Sequence, residues 1–309
     1  MSASVWVVGS GKGGVGKTFV STSLGITLSK MNRSVLLVDF DLTGANIHTC
    51  FGLKVSERNL RHFFEGSHKL VDLVQPTNVP KLSFIQGYWN DWSRADISVE
   101  QVRRFVDSCK SSEFDVVIVD VGASNSSCYM ELLKDADERL LLVDPEPTTI
   151  EKFYRHLESY VCYSLRENSN AEAFLKIQNA LREYRSSHKV GLFSFREYLQ
   201  NSTGFSFDHF EQLTHKPLRL IVNSARSRLD QDLGHSIKSV CTKYFDLNID
   251  YLGSLDYDNA VWQSCRKMEP TLIEKPFTPL AGQFLTIAKQ LLAANSSSNF
   301  SANQIKAVV

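Results

Sequence analysis

Gly9-Ser10-Gly11-Lys12-Gly13-Gly14-Val15-Gly16-Lys17-Thr18 follows directly on the apolar run Val5 to Val8 and leads into apolar residues at helical spacing, Val20, Leu24 and Leu28. From Gly11 onward the stretch matches G-x-x-x-x-G-K-[ST], and a strand before it and a helix after it are the context that pattern needs. Glycines let the backbone turn its N–H groups inward around phosphate oxygens, and the following helix offers its positive N-terminal end. Lys17 brings a cation to the β- and γ-phosphates, and the Thr18 hydroxyl can ligate Mg²⁺. A glycine-rich turn without a ligand is the competing reading, and it leaves the register of strand, loop and helix unexplained.

Outward from this loop, short runs rich in valine, leucine and isoleucine recur: Val5 to Val8, Val35 to Val38, Leu82 to Ile85, Val116 to Val119, Leu140 to Val143, Leu218 to Val222 and Ile249 to Leu252. Such runs read as strands buried on both faces. Helical periods lie between them, among them Val99, Val102, Val106 and Cys109, then Ile150, Phe153, Tyr154 and Leu157, then Leu233, Ile237, Val240 and Tyr244. The alternation predicts an α/β fold, a doubly wound, mostly parallel sheet with helices on both faces and its ligand beyond the carboxyl ends of the strands. Residues 1–294 are expected to form one domain. From about 162 to 216 the pattern is helical without a convincing strand, which predicts a helical insertion, either a cap that extends the core or a partner surface. Residues 295–309, rich in serine and asparagine, read as a disordered tail.

Three further strand ends carry polar residues toward the same crevice. Asp39-Phe40-Asp41 closes the second run, and strand alternation puts both carboxylates on one side, where their charge suits Mg²⁺ and water. Val116-Val117-Ile118-Val119-Asp120 reads as a Walker B strand, with Asp120 bonding Mg²⁺ through water and Gly122 offering a backbone N–H near the γ-phosphate. Asn223 follows the run Leu218 to Val222; its amide can pair with a donor and an acceptor on a base edge, although asparagine is also a common turn residue.

The chain has 309 residues, 43% of them hydrophobic, so disordered and fibrous classes are excluded. Lys and Arg number 34 against 34 Asp and Glu, which gives no general reason to expect DNA binding and leaves only a local patch to argue for it. Six scattered cysteines without a C-x-x-C fit reduced thiols and a reducing compartment. No secretory leader or apolar run of membrane-spanning length stands out, so a cytoplasmic location is expected. Trp89 and Trp92 read as local packing or a partner contact.

Lys-Gly-Gly-Val-Gly-Lys-Thr, with its second lysine at Lys12, resembles the deviant Walker A motif of the MinD/ParA superfamily of P-loop ATPases. Within it, Gly44-Ala45-Asn46, the Gly-Ala after Asp120 and Pro145-Glu146-Pro147-Thr148 are most similar to the MinD-like and flagellar-number regulator (FlhG/FleN) branch. The resemblance implies ATP and Mg²⁺ as cofactors and an ATP-dependent homodimer in which Lys12 reaches the nucleotide of the partner subunit. It also implies that Asp41 orients the attacking water, that Asp39 helps hold the metal's water shell, and that Asn223 meets the adenine. Slow hydrolysis, stimulated by an unidentified protein partner, would regulate the position or number of flagella or another polar structure. Phe19 departs from the family where relatives carry a second threonine; its backbone N–H could still reach the α-phosphate. Gln304 to Val309 is too short for a basic amphipathic membrane helix, so recruitment to a pole or membrane would go through a partner. A static nucleotide-binding module and a DNA-partition ATPase are the alternatives.

Overall fold

The apolar runs form seven strands, β1 (Ser4–Gly9), β2 (Val35–Phe40), β4 (Leu82–Ile85), β5 (Val116–Val121), β6 (Glu138–Val143), β7 (Leu218–Ala225) and β8 (Ile249–Asp256). A computed structural model describes them within residues 2–41, 44–88, 97–167, 169–186, 195–203, 216–245 and 247–306. Trp89 and Trp92 lie outside the described residues. Among those described, one more strand, β3 (Val74–Pro76), pairs antiparallel with β4. Its three residues are too few and too polar to register as an apolar run, and proline is tolerated there because an edge strand need not donate on its outer side.

The order is β3-β4-β2-β5-β1-β6-β7-β8, and every pair except β3–β4 is parallel. The Walker B strand therefore lies between β2 and β1. In register, Asp120 stands beside both Asp39 on β2 and Val8 on β1. Strand order alone thus gathers the two aspartates and the end of β1 at one edge.

Alternation along the strands divides the interior in two. Val5, Val7, Leu36, Val38, Val117 and Val119 face a core with α4 (Val99–Lys110), α5 (Ser127–Asp135), α6 (Pro147–Glu167) and α9 (Arg228–Val240). Trp6, Val8, Leu37 and Ile118 face the other, against α1 (Lys17–Lys30) and the last helix, α12 (Pro279–Lys306). Val20, Leu24, Ile26 and Leu28 of α1 are all fully buried, and Ser21, Thr22 and Ser23 go in with them. A helix covered on nearly every side anchors the loop before it.

α6 runs unbroken through Cys162, and among the described residues α7 (Ala171–Ser186) and α8 (Phe195–Thr203) follow it. Their Ile177, Leu181 and Leu199 are buried in the first core, as in a cap that extends it. The segment read as a tail is helical as far as Lys306. Once α12 is nucleated by its packed half, adding further residues costs little, and a composition reading cannot see that.

Candidate nucleotide site at the carboxyl edge of the sheet

β1 ends at Gly9 and α1 begins at Lys17, and the loop between them closes through Gly16, which adopts φ 90°. That left-handed conformation is costly for any residue with a Cβ. A Cβ at Gly16 would also overlap the Asn223 amide. Ser10 Oγ donates to Lys12 O at 2.7 Å, and Val20 N to Gly16 O at 2.9 Å, so both ends of the loop are fixed. Gly11, Lys12 and Gly16 are partly buried, Gly13 and Gly14 are exposed, and Val15 is buried.

Lys17 is buried at the head of α1; burial pulls its pKa down, while Asp120 and Asp41 pull it back up. Thr18 Oγ1 donates to Asp120 Oδ2 at 2.6 Å, and Ser21 Oγ, one turn on, donates to Asp120 Oδ1 at 2.9 Å. Asp120 is nevertheless shifted up to about 6, chiefly by burial. Asp39 is shifted up to about 7, first by burial and then by Asp120 beside it. Its carboxylate accepts from Ile47 N at 2.9 Å and Asp41 N at 3.3 Å, so it ties down the turn after β2. Asp41 is partly exposed, accepts from Gly44 N at 3.0 Å, and lies against Gly122, where a Cβ would sit 2.8 Å from Asp41 Oδ1.

These groups fit Mg²⁺. A hydroxyl and a buried carboxylate already in contact are hard oxygen donors, and a second buried carboxylate, Asp39, lies beside them in register. Among the described residues no three His, Cys, Asp or Glu side chains form a ready cage. Mg²⁺ characteristically binds through one or two protein oxygens, substrate phosphates and water, so this donor set suits it.

Three placements go beyond the sequence reading. Lys12 is turned to the loop after β6, where Nζ donates to Glu146 Oε2 at 2.8 Å, Thr148 Oγ1 at 3.0 Å and Thr149 Oγ1 at 3.1 Å. Phe19 packs its ring edge-on against Phe284 of α12, centroids 5.6 Å apart, so only its backbone faces the loop. Asn223 donates Nδ2 to Val15 O at 2.8 Å, bracing the phosphate loop and leaving Oδ1 as the atom for a base edge. Three residues further along the chain, the Arg226 guanidinium lies 4.1 Å from the Tyr257 ring centroid at a shallow cleft of about 540 Å³. Sequence reasoning missed Ser21 and Thr149; the one available signal was the helical step from Thr18 to Ser21, which puts both hydroxyls on one face.

Fold and site together define a P-loop nucleotide-binding protein. Residues 2–153 match the family described as ParA: NUBPL iron-transfer P-loop NTPase. Residues 2–153, just under half of the chain, are thus a ParA-family P-loop NTPase segment, and the chain has relatives in both the FlhG/FleN and the MinD groups. It is 26% identical over 294 residues to the antiactivator FleN of Pseudomonas aeruginosa, covering 93% of this chain and 85% of FleN. It is 30% identical over 168 residues to the flagellum site-determining protein YlxH of Helicobacter pylori, covering 54% of each chain, so it spans about half of that relative's length. The cell division ATPase MinD of Pyrococcus furiosus has the same fold, with a TM-score of 0.66 at 19% identity over 94% of this chain and 99% of that one. No described helix is long and apolar enough to cross a membrane.

Proposed function

We propose that this chain is a MgATP-binding and hydrolysing dimerisation switch whose task is to regulate the position or number of flagella or another polar structure. The convergence of Lys17, Thr18, Asp41 and Asp120 at one sheet edge, with Lys12 as a second cation on the same loop, carries the reading. The name of YlxH, a flagellum site-determining protein, supports the flagellar part.

Catalysis is positioning and charge stabilisation. Backbone N–H groups from Gly11 to Phe19 cradle the phosphates, and Lys17 neutralises charge that develops between the β- and γ-phosphates. Thr18 and Asp120 would hold Mg²⁺, which would supply positive charge to the phosphates. Asp41, partly exposed and aimed beside Gly122, accepts a hydrogen bond from the attacking water, while the Gly122 N–H steadies the γ-phosphate. Asp39 keeps the Asp41 turn in place and contributes to the metal's water shell. Lys12 leaves its contacts with Glu146 and the two threonines to meet the nucleotide of a second copy. Asn223 Oδ1 takes the adenine amino group, with Arg226 and Tyr257 at the edge of the base. Residues 1–294 act as one ATPase unit in the cytoplasm, recruited to its place by a protein partner.

The competing reading, a static nucleotide-binding module, draws on the same Lys12 contacts, which satisfy the lysine within one chain. Solution mass with MgADP and with MgATP separates the two, using Asp41→Ala to slow hydrolysis. A dimer only with ATP supports the switch; a monomer that binds ATP without change supports the static module. ATP-dependent DNA affinity that falls steeply with salt would instead indicate partition chemistry.

A further inference from the structure

α6 touches three parts of the nucleotide site. Its first turn supplies Thr148 and Thr149 to Lys12. Further along, Lys152 and His156 press on the phosphate loop: a Cβ at Gly11 would lie 2.5 Å from Lys152 O and 3.1 Å from His156 Cβ. His156 also reaches the loop that follows Gly122, with Nδ1 2.7 Å from Asn125 Oδ1. Its ring meets Tyr129 of α5 edge-on, centroids 4.9 Å apart, and Tyr129 in turn lies against Gly9.

The side chain of His156 is fully buried. An amide oxygen only accepts, so Nδ1 carries the proton and Nε2 the lone pair. Burial, together with the charge of Lys17, holds the pKa down to about 4, so the ring is neutral at ordinary pH. Nε2 finds no hydrogen-bond partner among the described residues. A phenyl ring would fill the same space without an unpaired buried nitrogen, so packing alone does not explain a histidine here. The hydrogen bond to Asn125, an exposed loop residue, does.

We propose that His156 is a positioning residue that ties the Gly122–Asn125 loop to the phosphate loop, so that movement of that loop with the γ-phosphate passes along α6 to the residues holding Lys12. A packed helix is a rigid carrier for such a displacement. The proposal rests on the dimerisation-switch reading above.

Three variants test it. His156→Phe keeps a ring against Tyr129 and Gly11 and removes the hydrogen bond. Asn125→Ala removes the acceptor from an exposed position, where folding is not at stake. His156→Asn restores an N–H near the Nδ1 position. ATP turnover and the dimer fraction in MgATP are measured for each and for the His156→Phe/Asn125→Ala double variant. The expected result is a kcat about tenfold lower in His156→Phe and Asn125→Ala, the size expected for one lost hydrogen bond, with KM for ATP little changed. The double variant falls no further than either single one, and His156→Asn recovers most of the rate. Parent-like turnover and dimerisation in Asn125→Ala, or additive losses in the double variant, overturn the inference alone. A parent chain that neither dimerises nor hydrolyses in MgATP overturns the switch reading and this inference with it.

Discussion

Lys12 and Glu146 form an ion pair at 2.8 Å across the mouth of the phosphate site, joining the phosphate loop to the start of α6. The pair raises the pKa of Lys12 and lowers that of Glu146, and Thr148 and Thr149 occupy the remaining ammonium protons. Both partners are solvent-accessible, so the contact is easily exchanged for another anion. A nucleotide phosphate on a second copy is such an anion. Lys12→Ala is therefore expected to bind nucleotide as the parent does while losing ATP-dependent dimerisation and turnover; sedimentation in MgATP checks this, and a parent-like dimer would refute the shared-site reading. Glu146→Gln keeps both threonine contacts and removes the ion pair, so association in MgATP should strengthen by a few-fold, and weaker association would show that Glu146 is not a brake.

Lys17 sits buried beneath the loop, where its charge cannot be replaced by water. Lys17→Ala should weaken MgATP binding by about a hundredfold or more, the scale on which buried charge-assisted contacts act. Titration with a fluorescent nucleotide measures it; a loss under tenfold would mean the backbone cradle does most of the holding.

Asp41 stands beside Gly122 and accepts from Gly44 N without being enclosed. Asp41→Ala should lower kcat by about 10² to 10⁴, the usual contribution of a positioned acid–base group, while leaving the ATP-bound dimer intact. Single-turnover hydrolysis in that variant at the parent rate would reassign the water-orienting role.

Ser21 is the hydroxyl that completes the hold on Asp120. Ser21→Ala leaves Asp120 Oδ1 without its donor and should weaken magnesium-dependent nucleotide affinity by about 10- to 100-fold, as loss of an outer-shell partner does. Affinity measured without magnesium serves as the control and should hardly change.

Asp39 and Asp120 titrate at about 7 and about 6, above the ordinary carboxylate range, because both are buried side by side. These two acids therefore hold more protons folded than unfolded between about pH 4 and pH 7, so their contribution to stability falls as pH rises through that window, offset in part below the ordinary histidine range by His156, which burial keeps neutral. Thermal unfolding of the nucleotide-free protein should show its midpoint dropping from pH 5 to pH 7.5. MgADP should restore more at pH 7.5 than at pH 5, since the cation offsets the charge that appears. A midpoint rising with pH would contradict the arrangement of the two acids.

All seven apolar runs became strands, and the loop at Gly9 to Thr18 took its expected place between β1 and α1. Both signals are local: a strand buried on two faces is written in consecutive apolar residues, and a phosphate loop in glycines within a few positions of Lys17 and Thr18. Asp39, Asp41 and Asp120 could be placed at one edge because parallel strands all end on the same side. β3 escaped notice because Gln75 and Pro76 carry no period, and the helix through residues 295–306 because its support lies in the packed half before it.

Side-chain partnership was another matter. Lys12 and Glu146 are 134 residues apart, Ser21 and Asp120 are 99 apart, and Asn125 and His156 are 31 apart. By itself the sequence determined an α/β sheet with a phosphate loop and acidic residues at its carboxyl edge, because hydrophobic period and backbone geometry act over a few residues. Only the tertiary structure decided that Lys12 faces Glu146, that Asn223 spends its amide on Val15, and that His156 joins two loops. Those pairings depend on which strands lie side by side, here β5 between β2 and β1 with β6 on the far side of β1, and on how α6 packs across their ends.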